Sequence, residues 1–370
     1  MEISPEIKTL SPYVPGKPIE ETKREFGIKT VIKMASNENA LGPSPKVITA
    51  VKKALKSIHL YPDGAAYEFK KTYSEIFGFD TDQIVLGNGS DELVNNLIRV
   101  YCKPGDRIVT AQYGFVAYKI AAQAHRLKTD EIPVSSDFNY DIDAIINFID
   151  TKWTKDHKII FLANPNNPTG SYINSKDADR LIRTIQNRKD LILVVDEAYL
   201  EFARSRDYAR FEKYLQTTPN LLLLRTLSKA YALAGLRIGI LIGAAEIVDY
   251  VNRVRLPFNI NSLAQIAATV AIKDELHIKK SQKLVWEGLD YFYEVFDQHK
   301  IKFYSSEGNF LLIDVAIDTG NIYNELLKRG VIVRPLKPYG LHSHLRISVG
   351  TKTENRQLIK ALAEVLGKKS

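Results

Sequence analysis

Short apolar runs, several of them separated by helical patterns, determine the fold class of this chain. The runs have the length and composition of buried strands and extend from residue 83 to residue 242. Such alternation is typical of an α/β domain with a mostly parallel sheet, in which helices connect the strands. We predict strands at residues 83–86, 107–110, 158–162, 191–195, 221–224 and 238–242, with helices at 91–101, 116–125 and 176–188.

Three regions follow one another along the 370 residues. Residues 1–30 are punctuated by prolines and then charged, which predicts an N-terminal arm with a short helix. Residues 31–256 hold the α/β pattern and form the predicted large domain. Residues 257–370 form a predicted smaller α+β domain packed with the arm. Its predicted helices lie at 262–299 and 354–366, and its predicted strands at 309–315, 331–334 and 345–348.

The composition is that of an ordinary soluble globular protein, with 45% hydrophobic and 25% charged residues. No apolar run approaches the roughly 20 residues of a membrane span, and the first residues lack a signal-peptide pattern. The 51 Lys and Arg residues are interspersed with 43 Asp and Glu residues, so the net charge of +8 favours small anionic ligands over nucleic acid. Cys102 is the only cysteine, which excludes a disulfide framework and favours a cytoplasmic protein, and the seven histidines show no metal-ligand spacing.

Lys229 lies in a long apolar stretch, where a lysine has little structural reason to be. Leu227, Ala230 and Leu233 are its neighbours in the sequence. Because loss of water disfavours the ammonium form, an amine in such a setting becomes nucleophilic and can form a Schiff base with an aldehyde cofactor. The alternative is a lysine whose charged end extends from a buried turn into water.

Asp196 directly follows the apolar run 191–195 and is a second candidate. A carboxylate at the end of a buried strand is costly unless it has a cationic partner. The protonated ring nitrogen of pyridoxal phosphate would be such a partner. Asp is also a favoured helix N-cap, and the spacing alone leaves both possibilities open.

Two polar turns follow predicted strands, at the edge of the sheet where α/β proteins bind ligands. The turn 164–170 carries three asparagines, among them Asn167, on a backbone fixed by two prolines and a glycine. The turn 87–92 can present backbone N–H groups to a phosphate at a helix N-terminus, although its acidic residues also suit an ordinary first helical turn. A plain connection between strand and helix is the alternative for both turns.

Several arginines lie where they would suit anionic groups. Ser228 immediately precedes Lys229 and Arg237 follows it by eight residues, an arrangement that would clamp a cofactor phosphate. Arg334 and Arg346 each end a short apolar strand of the small domain. The two would suit an anionic substrate if they converge on one cleft, and the alternative is a structural or solvated role.

Taken together, these motifs resemble those of the fold-type-I pyridoxal phosphate aminotransferases and, within them, the histidinol-phosphate aminotransferases. The resemblance covers nearly the whole chain in family order. Relatives often have proline where this chain has Ala40, and a second proline within the segment 64–66. The matching segments are ASNENALGPS (35–44), YPDG (61–64), the glycine turn 87–92, NNPTG (166–170), DEAY (196–199), RTLSKAYALAGLR (225–237), VIVRP (331–335) and LRISVGT (345–351).

The resemblance implies a large domain with a seven-stranded, mostly parallel sheet and pyridoxal 5′-phosphate as cofactor. Lys229 would hold the cofactor aldehyde and later carry a proton, and Asp196 would pair with the ring nitrogen. Asn167 and Tyr199 would bind the ring oxygen O3′, and Tyr113 would stack on the ring. The cofactor phosphate would be held by Ser90, Asp91, Thr226, Ser228 and Arg237.

The resemblance also implies a homodimer, in which Tyr61 reaches the cofactor phosphate of the partner. Arg346 would bind the carboxylate of glutamate, Arg334 and Tyr13 would bind the phosphate of histidinol phosphate, and Asn37 would lie near the substrate. The implied reaction is amino transfer between L-histidinol phosphate and 2-oxoglutarate in histidine biosynthesis. Alternatives are an aromatic amino acid aminotransferase or a threonine-phosphate decarboxylase on the same scaffold. A cofactor-sensing regulator would need a DNA-binding segment, for which the arm is too short.

Overall fold

The computed structural model describes residues 2–367; residue 1 of the predicted arm and residues 368–370 of the predicted small domain lie outside this range. The strands are β1 (Ile32–Lys33), β2 (Ile84–Asn88), β3 (Arg107–Ala111), β4 (Lys128–Ile132), β5 (His157–Ala163), β6 (Ile192–Asp196), β7 (Leu221–Thr226), β8 (Ile238–Ile242), β9 (Lys302–Tyr304), β10 (Phe310–Asp314), β11 (Val331–Ile332), β12 (Arg334–Leu336) and β13 (Leu341–Ser348). The α-helices are α1 (Pro5–Lys8), α2 (Ile19–Phe26), α3 (Pro45–Ala54), α4 (Tyr67–Phe77), α5 (Ser90–Tyr101), α6 (Val116–Ala124), α7 (Ile142–Thr151), α8 (Ser175–Ile185), α9 (Ala245–Val254), α10 (Ser262–Ala271), α11 (Glu275–Gln298), α12 (Thr319–Lys328) and α13 (Lys352–Val365). In this described part of the chain, no helix combines the length and apolarity needed to cross a lipid bilayer.

A seven-stranded sheet organises the large α/β unit, with the strand order β2-β8-β7-β6-β5-β3-β4. The strands from β7 to β4 pair in parallel, and β8 runs antiparallel to both of its neighbours. The predicted fold class, an α/β fold with a mostly parallel seven-stranded sheet and a smaller C-terminal unit, is confirmed. Each apolar run that predicts a strand between residues 83 and 242 forms one.

Both faces of this sheet are buried, which explains why its central strands are continuously apolar. Along β5, Ile160 and Leu162 belong to one apolar cluster, and Ile159 and Phe161 belong to another. Side chains from α7 and α8 complete the first cluster, and side chains from α5, α6 and α9 complete the second. Alternate residues of a strand point to opposite faces, so helices cover the sheet on both sides.

The edge strand β4 has no apolar run and is missing from the strands that the apolar runs predict. Its sequence is KTDEI, and of its five residues only Ile132 is buried. An edge strand is covered less completely than a central one and carries charged side chains that discourage pairing with another chain. Because β4 is mostly polar, the apolar runs of the sequence do not predict it.

The smaller C-terminal unit contains the antiparallel sheet β12-β13-β10-β9, and β1 pairs in parallel with β11 beside it. The single helix predicted at 262–299 is wrong in one respect, because the chain forms α10 and α11 with a break between them. At the break, Asp274 accepts hydrogen bonds from Ser44 and Lys46. The strand predicted at 331–334 is likewise two short strands, β11 and β12, which belong to different sheets.

The parallel strands bring their carboxyl ends to one edge of the sheet. β5 ends at Ala163, β6 at Asp196 and β7 at Thr226, and these three strands are neighbours. β2 runs in the same direction as these three strands, because β8 is antiparallel to both β2 and β7, and it leads into α5 at Ser90. Ligands of open α/β sheets bind beyond such strand ends, so this edge is the place to look for a site.

Candidate active site

A cavity lies beyond the carboxyl ends of β5, β6 and β7. It brings together all but three of the side chains that the sequence singles out for cofactor and substrate. Residues that the sequence analysis did not name, including Ser36 and Phe115, also line it. The predicted residues in its wall are Tyr13, Asn37, Ser90, Asp91, Asn167, Asp196, Tyr199, Thr226, Ser228, Lys229, Arg237 and Arg346.

The amine of Lys229 is enclosed in this cavity. Its Nζ donates a hydrogen bond to the backbone carbonyl oxygen of Ser36, 3.1 Å away, and lies 5.7 Å from the ring centroid of Tyr199. Burial, followed by repulsion from the nearby Arg346 charge, lowers the pKa of Lys229 to about 8. Roughly a tenth of this amine is therefore unprotonated at pH 7, against well under a thousandth at the ordinary pKa of 10.5, and the unprotonated form is the nucleophile.

Asp196 places a buried carboxylate in the same cavity. Its Oδ2 accepts a hydrogen bond from the Tyr118 hydroxyl (2.6 Å), and its Oδ1 accepts one from the backbone N–H of Ala198 (3.1 Å). Burial raises the pKa of Asp196 to about 6, and these two hydrogen bonds oppose the rise. No lysine or arginine within residues 2–367 forms an ion pair with Asp196, so its charge is left for a cationic ligand group.

A network of amide and phenol groups connects Tyr199 to Arg346. The Tyr199 oxygen accepts hydrogen bonds from Nδ2 of Asn37 (2.9 Å) and Nδ2 of Asn167 (3.3 Å), which leaves its own O–H proton free for a ligand. Arg346 donates to Oδ1 of Asn167 and to the carbonyl oxygen of Ala35, both at 2.5 Å. Its Nε makes no hydrogen bond within the described residues although it is buried. Such a buried donor suits a carboxylate.

The opposite end of the cavity contains backbone N–H groups and a guanidinium, which are groups that can bind an anion. α5 begins there at Ser90, so that its first backbone N–H groups lack helical partners. The guanidinium of Arg237 lies against Gly89 and donates to a carboxylate oxygen of Asp91 (3.1 Å). A Cβ on Gly89 would collide with Arg237, and a Cβ on Gly239 would lie 2.5 Å from the Ser90 nitrogen. Two glycines therefore allow this close approach.

Two hydroxyl groups, those of Thr226 and Ser228, also line this end of the cavity. The Oγ1 of Thr226 lies 3.0 Å from the Oγ of Ser228 and accepts a hydrogen bond from the Ser228 backbone N–H. Both side chains are buried at the end of β7, in the turn that carries Lys229. The sequence order Thr226, Ser228, Lys229 thus places two hydroxyls and the amine in one wall of the cavity.

Three predicted site residues do not line the cavity. Tyr113 adopts a left-handed backbone (φ 57°) and its ring packs edge-on against Phe138, with Phe115 in the cavity wall two residues later. Tyr61 is 83% exposed and stacks on Phe258. Arg334 donates to the carbonyl oxygen of Val14 and lies 5.6 Å from the ring of Tyr13, which does line the cavity.

Comparisons with known proteins identify the family of the chain. A family model described as aminotransferase class I and II matches residues 29–362. The histidinol-phosphate aminotransferase of Bdellovibrio bacteriovorus is 46% identical over 366 residues, which cover 99% of this chain and 98% of that protein. The histidinol-phosphate aminotransferase of an Anaeromyxobacter species is 40% identical, with 99% of each chain covered.

Solved structures extend the similarity to three dimensions. The histidinol-phosphate aminotransferase of Sinorhizobium meliloti, in complex with pyridoxal-5′-phosphate, matches with a TM-score of 0.89 at 26% identity, covering 99% of this chain and 97% of that chain. The aspartate aminotransferase of Thermus thermophilus with maleate matches with a TM-score of 0.83 at 20% identity, covering 99% of this chain and 100% of that one. The second likeness concerns the fold alone. The resemblance inferred from the motifs is confirmed, and the chain belongs to the class I and II aminotransferase family.

Proposed function

We propose that this enzyme transfers an amino group between L-histidinol phosphate and 2-oxoglutarate, with pyridoxal 5′-phosphate as cofactor, and yields imidazole acetol phosphate and L-glutamate in L-histidine biosynthesis. The observation that carries the proposal is the meeting of Lys229, Asp196 and Arg346 in one cavity. The nearly full-length relatives named histidinol-phosphate aminotransferase support the choice of substrate. A cytoplasmic location is part of the proposal, since a chain with the single cysteine Cys102 needs no oxidising compartment.

The residues of the cavity fit pyridoxal phosphate at both ends. When bound, this cofactor supplies an aldehyde that captures amines and a ring that draws electrons from the substrate α-carbon. The buried carboxylate of Asp196, which has no protein cation beside it, suits a protonated ring nitrogen. The start of α5, with Ser228 and Arg237, suits the phosphate. Tyr199 and Asn167 offer O–H and N–H donors to the ring oxygen between these ends.

Lys229 has two tasks in the proposed reaction. Its unprotonated Nζ would hold the cofactor through the aldehyde carbon, a role favoured by a pKa of about 8. With a substrate amine in its place, the same Nζ would be free to accept the proton of the substrate α-carbon and to return it at a different carbon. In the protein without a ligand, the hydrogen bond to Ser36 holds this amine beside Tyr199.

Two arginines match the anionic groups of the proposed substrates. Arg346 is buried, and its Nε has no partner among the described residues, so it suits the α-carboxylate of glutamate. Arg334 lies beside Tyr13, at the side of the cavity formed by the N-terminal arm. This position suits the phosphate of histidinol phosphate. Amino donors and acceptors would thus be distinguished by which arginine they engage.

We further propose that the enzyme is a homodimer. Tyr61 and Phe258 stack on each other at 4.8 Å while both are exposed, and Leu60 and Leu256 are exposed near them in sequence. Exposed apolar groups of this size are typical of a surface that another chain covers. In a dimer, Tyr61 would reach the cofactor phosphate of the partner. Light scattering on the purified protein should give twice the mass of one chain, and a monomeric enzyme with full activity would contradict this proposal.

Amino transfer by the purified enzyme tests the proposed function directly. With pyridoxal phosphate bound, it should form glutamate from 2-oxoglutarate and L-histidinol phosphate, and Lys229→Ala should abolish turnover. Phenylalanine and phosphothreonine are the comparison substrates. Turnover of phenylalanine but not of histidinol phosphate would favour an aromatic amino acid aminotransferase. Release of carbon dioxide from phosphothreonine, without consumption of an oxo-acid, would identify a decarboxylase.

A further inference from the structure

Tyr118 is a buried tyrosine whose hydroxyl contacts the candidate site from outside the cavity. It lies in α6, is 1% exposed, and donates a hydrogen bond of 2.6 Å to Oδ2 of Asp196. Its ring stacks on Phe161 with a centroid distance of 5.0 Å and an interplanar angle of 15°. Tyr118 does not line the cavity. Its ring also packs edge-on against Phe115 of the cavity wall, with a centroid distance of 5.6 Å. Tyr118→Phe keeps that ring contact, so the effect of the hydroxyl itself on a ligand must pass through Asp196.

The hydrogen bond from Tyr118 is the only one that a side chain donates to Asp196 within the described residues. A hydrogen bond to a carboxylate stabilises its ionised form and fixes its orientation. Burial acts in the opposite direction and raises the pKa of Asp196, as do the nearby charges of Asp91 and Glu197. The hydroxyl of Tyr118 thus opposes the groups that would leave Asp196 neutral.

We propose that Tyr118 is a positioning residue, whose hydroxyl holds the Asp196 carboxylate in the orientation that receives the protonated ring nitrogen of the cofactor. This inference rests on the proposed cofactor and adds a residue that acts on it from outside the cavity. Without the hydroxyl, Asp196 becomes more basic, and the proton that it shares with the ring nitrogen moves toward the carboxylate. The ring then draws electrons less strongly.

Tyr140 offers a matched control. Its hydroxyl also donates a hydrogen bond of 2.6 Å, but the acceptor is the neutral backbone carbonyl of Ala163. It lies close enough to Asp196 for the charge of Asp196 to raise the pKa of Tyr140. Tyr118→Phe and Tyr140→Phe therefore remove the same atom from the same kind of side chain in one neighbourhood. Only the first removes a hydrogen bond to Asp196.

The test is the protonation of the ring nitrogen in the loaded enzyme. Pyridoxal phosphate labelled with ¹⁵N in the ring is bound to the original protein and to both variants, and the nitrogen resonance is followed across neutral pH. In Tyr118→Phe the resonance should move toward that of an unprotonated ring, and the cofactor should bind on the order of tenfold more weakly. In Tyr140→Phe the nitrogen resonance and the affinity for the cofactor should both equal those of the original protein.

A resonance and an affinity in Tyr118→Phe that match Tyr140→Phe would overturn the proposal. Circular dichroism and unfolding midpoints verify that the variants fold. Tyr118→Leu also lacks the hydroxyl, so it must show the same spectral change, although it loses the ring contacts with Phe115 and Phe161 as well. An unprotonated ring in the original protein would instead contradict the proposed partnership of Asp196 with the cofactor, which separates failure of the function from failure of the Tyr118 role.

Discussion

The Nζ of Lys229 donates a hydrogen bond to the backbone carbonyl oxygen of Ser36, a residue 193 positions earlier in the chain. Within residues 35–37, the residue before Ser36 accepts a hydrogen bond from Arg346, and the residue after it donates one to Tyr199. One short segment that follows β1 therefore contacts the amine of Lys229, the guanidinium of Arg346 and the phenol of Tyr199. Its backbone sets their relative positions.

The environment of Lys229 predicts when the free enzyme captures aldehydes. Its pKa of about 8 lies below the ordinary 10.5 because of burial and, next, the charge of Arg346. Only the unprotonated amine reacts, so the rate of pyridoxal phosphate capture should rise as the pH increases through about 8 and level off above it. Absorbance kinetics measure this rate. Arg346→Gln should shift the midpoint to higher pH, and a rate that keeps rising to about pH 10 in the original protein would contradict the account.

The pKa of Asp196 predicts how cofactor affinity depends on pH. Burial raises this pKa to about 6, so the carboxylate takes up a proton as the pH falls through that value. A neutral Asp196 attracts a protonated ring nitrogen less, and pyridoxal phosphate should bind more weakly below about pH 6. Equilibrium titration of the free enzyme at several pH values measures the effect. In Asp196→Asn the binding should be weak throughout, and the pH dependence that remains there belongs to groups other than Asp196, such as Lys229 and the cofactor phosphate.

Arg346 and Arg334 should have separable effects on the two substrates. Arg346→Lys loses the planar fork that binds a carboxylate, and the KM for glutamate should rise on the order of 100-fold. Arg334→Lys should raise the KM for histidinol phosphate and leave the KM for glutamate within about twofold, because it lies beside Tyr13 at the arm. Steady-state kinetics with each substrate decide this. An equal rise for both substrates in either variant would show that the arginines are not specialised.

The buried ion pair between Glu197 and Arg225 should contribute strongly to stability. The Arg225 Nε lies 2.7 Å from Oε2 of Glu197, and both side chains are buried directly after Asp196 and before Thr226 in the sequence. Glu197→Gln leaves the guanidinium with too little compensation and should lower the free energy of unfolding by about 3–5 kcal/mol. Urea unfolding measures the change. Glu212→Gln is the control, because Glu212 is more exposed and lies 3.4 Å from Arg225; it should cost less than about 1 kcal/mol.

Sequence reasoning finds the residues whose type conflicts with their surroundings. Lys229 and Asp196 are charged side chains attached to apolar runs, and the structure places both in the cavity. Ordinary side chains give no such signal. Tyr118 lies inside a helix, and its proposed role depends on a tertiary contact with Asp196 that no local spacing encodes. Phe115 rather than Tyr113 lines the cavity, and the left-handed backbone of Tyr113 (φ 57°) cannot be read from residue type.

Long-range contacts are the other part that sequence patterns do not give. The hydrogen bond between Lys229 and Ser36 joins residues 193 positions apart in the chain, and neither residue suggests the other. Asn37 is expected near the substrate, yet its side-chain groups bond to Tyr199 and Ser348. The bond to Ser348 depends on the packing of the C-terminal unit on the large one. Family resemblance supplied Asn37 as a candidate, and the structure supplies its partners.

Identification of the lysine that carries the cofactor tests the central claim most directly. The purified enzyme is loaded with pyridoxal phosphate, reduced with borohydride, digested, and examined by peptide mass spectrometry. The account predicts one phosphopyridoxyl group per chain, attached to Lys229 in the segment after β7. The label should disappear when an excess of glutamate is added before reduction, because the substrate amine displaces the lysine. A label on another lysine, or no label while the enzyme is active, would contradict the account.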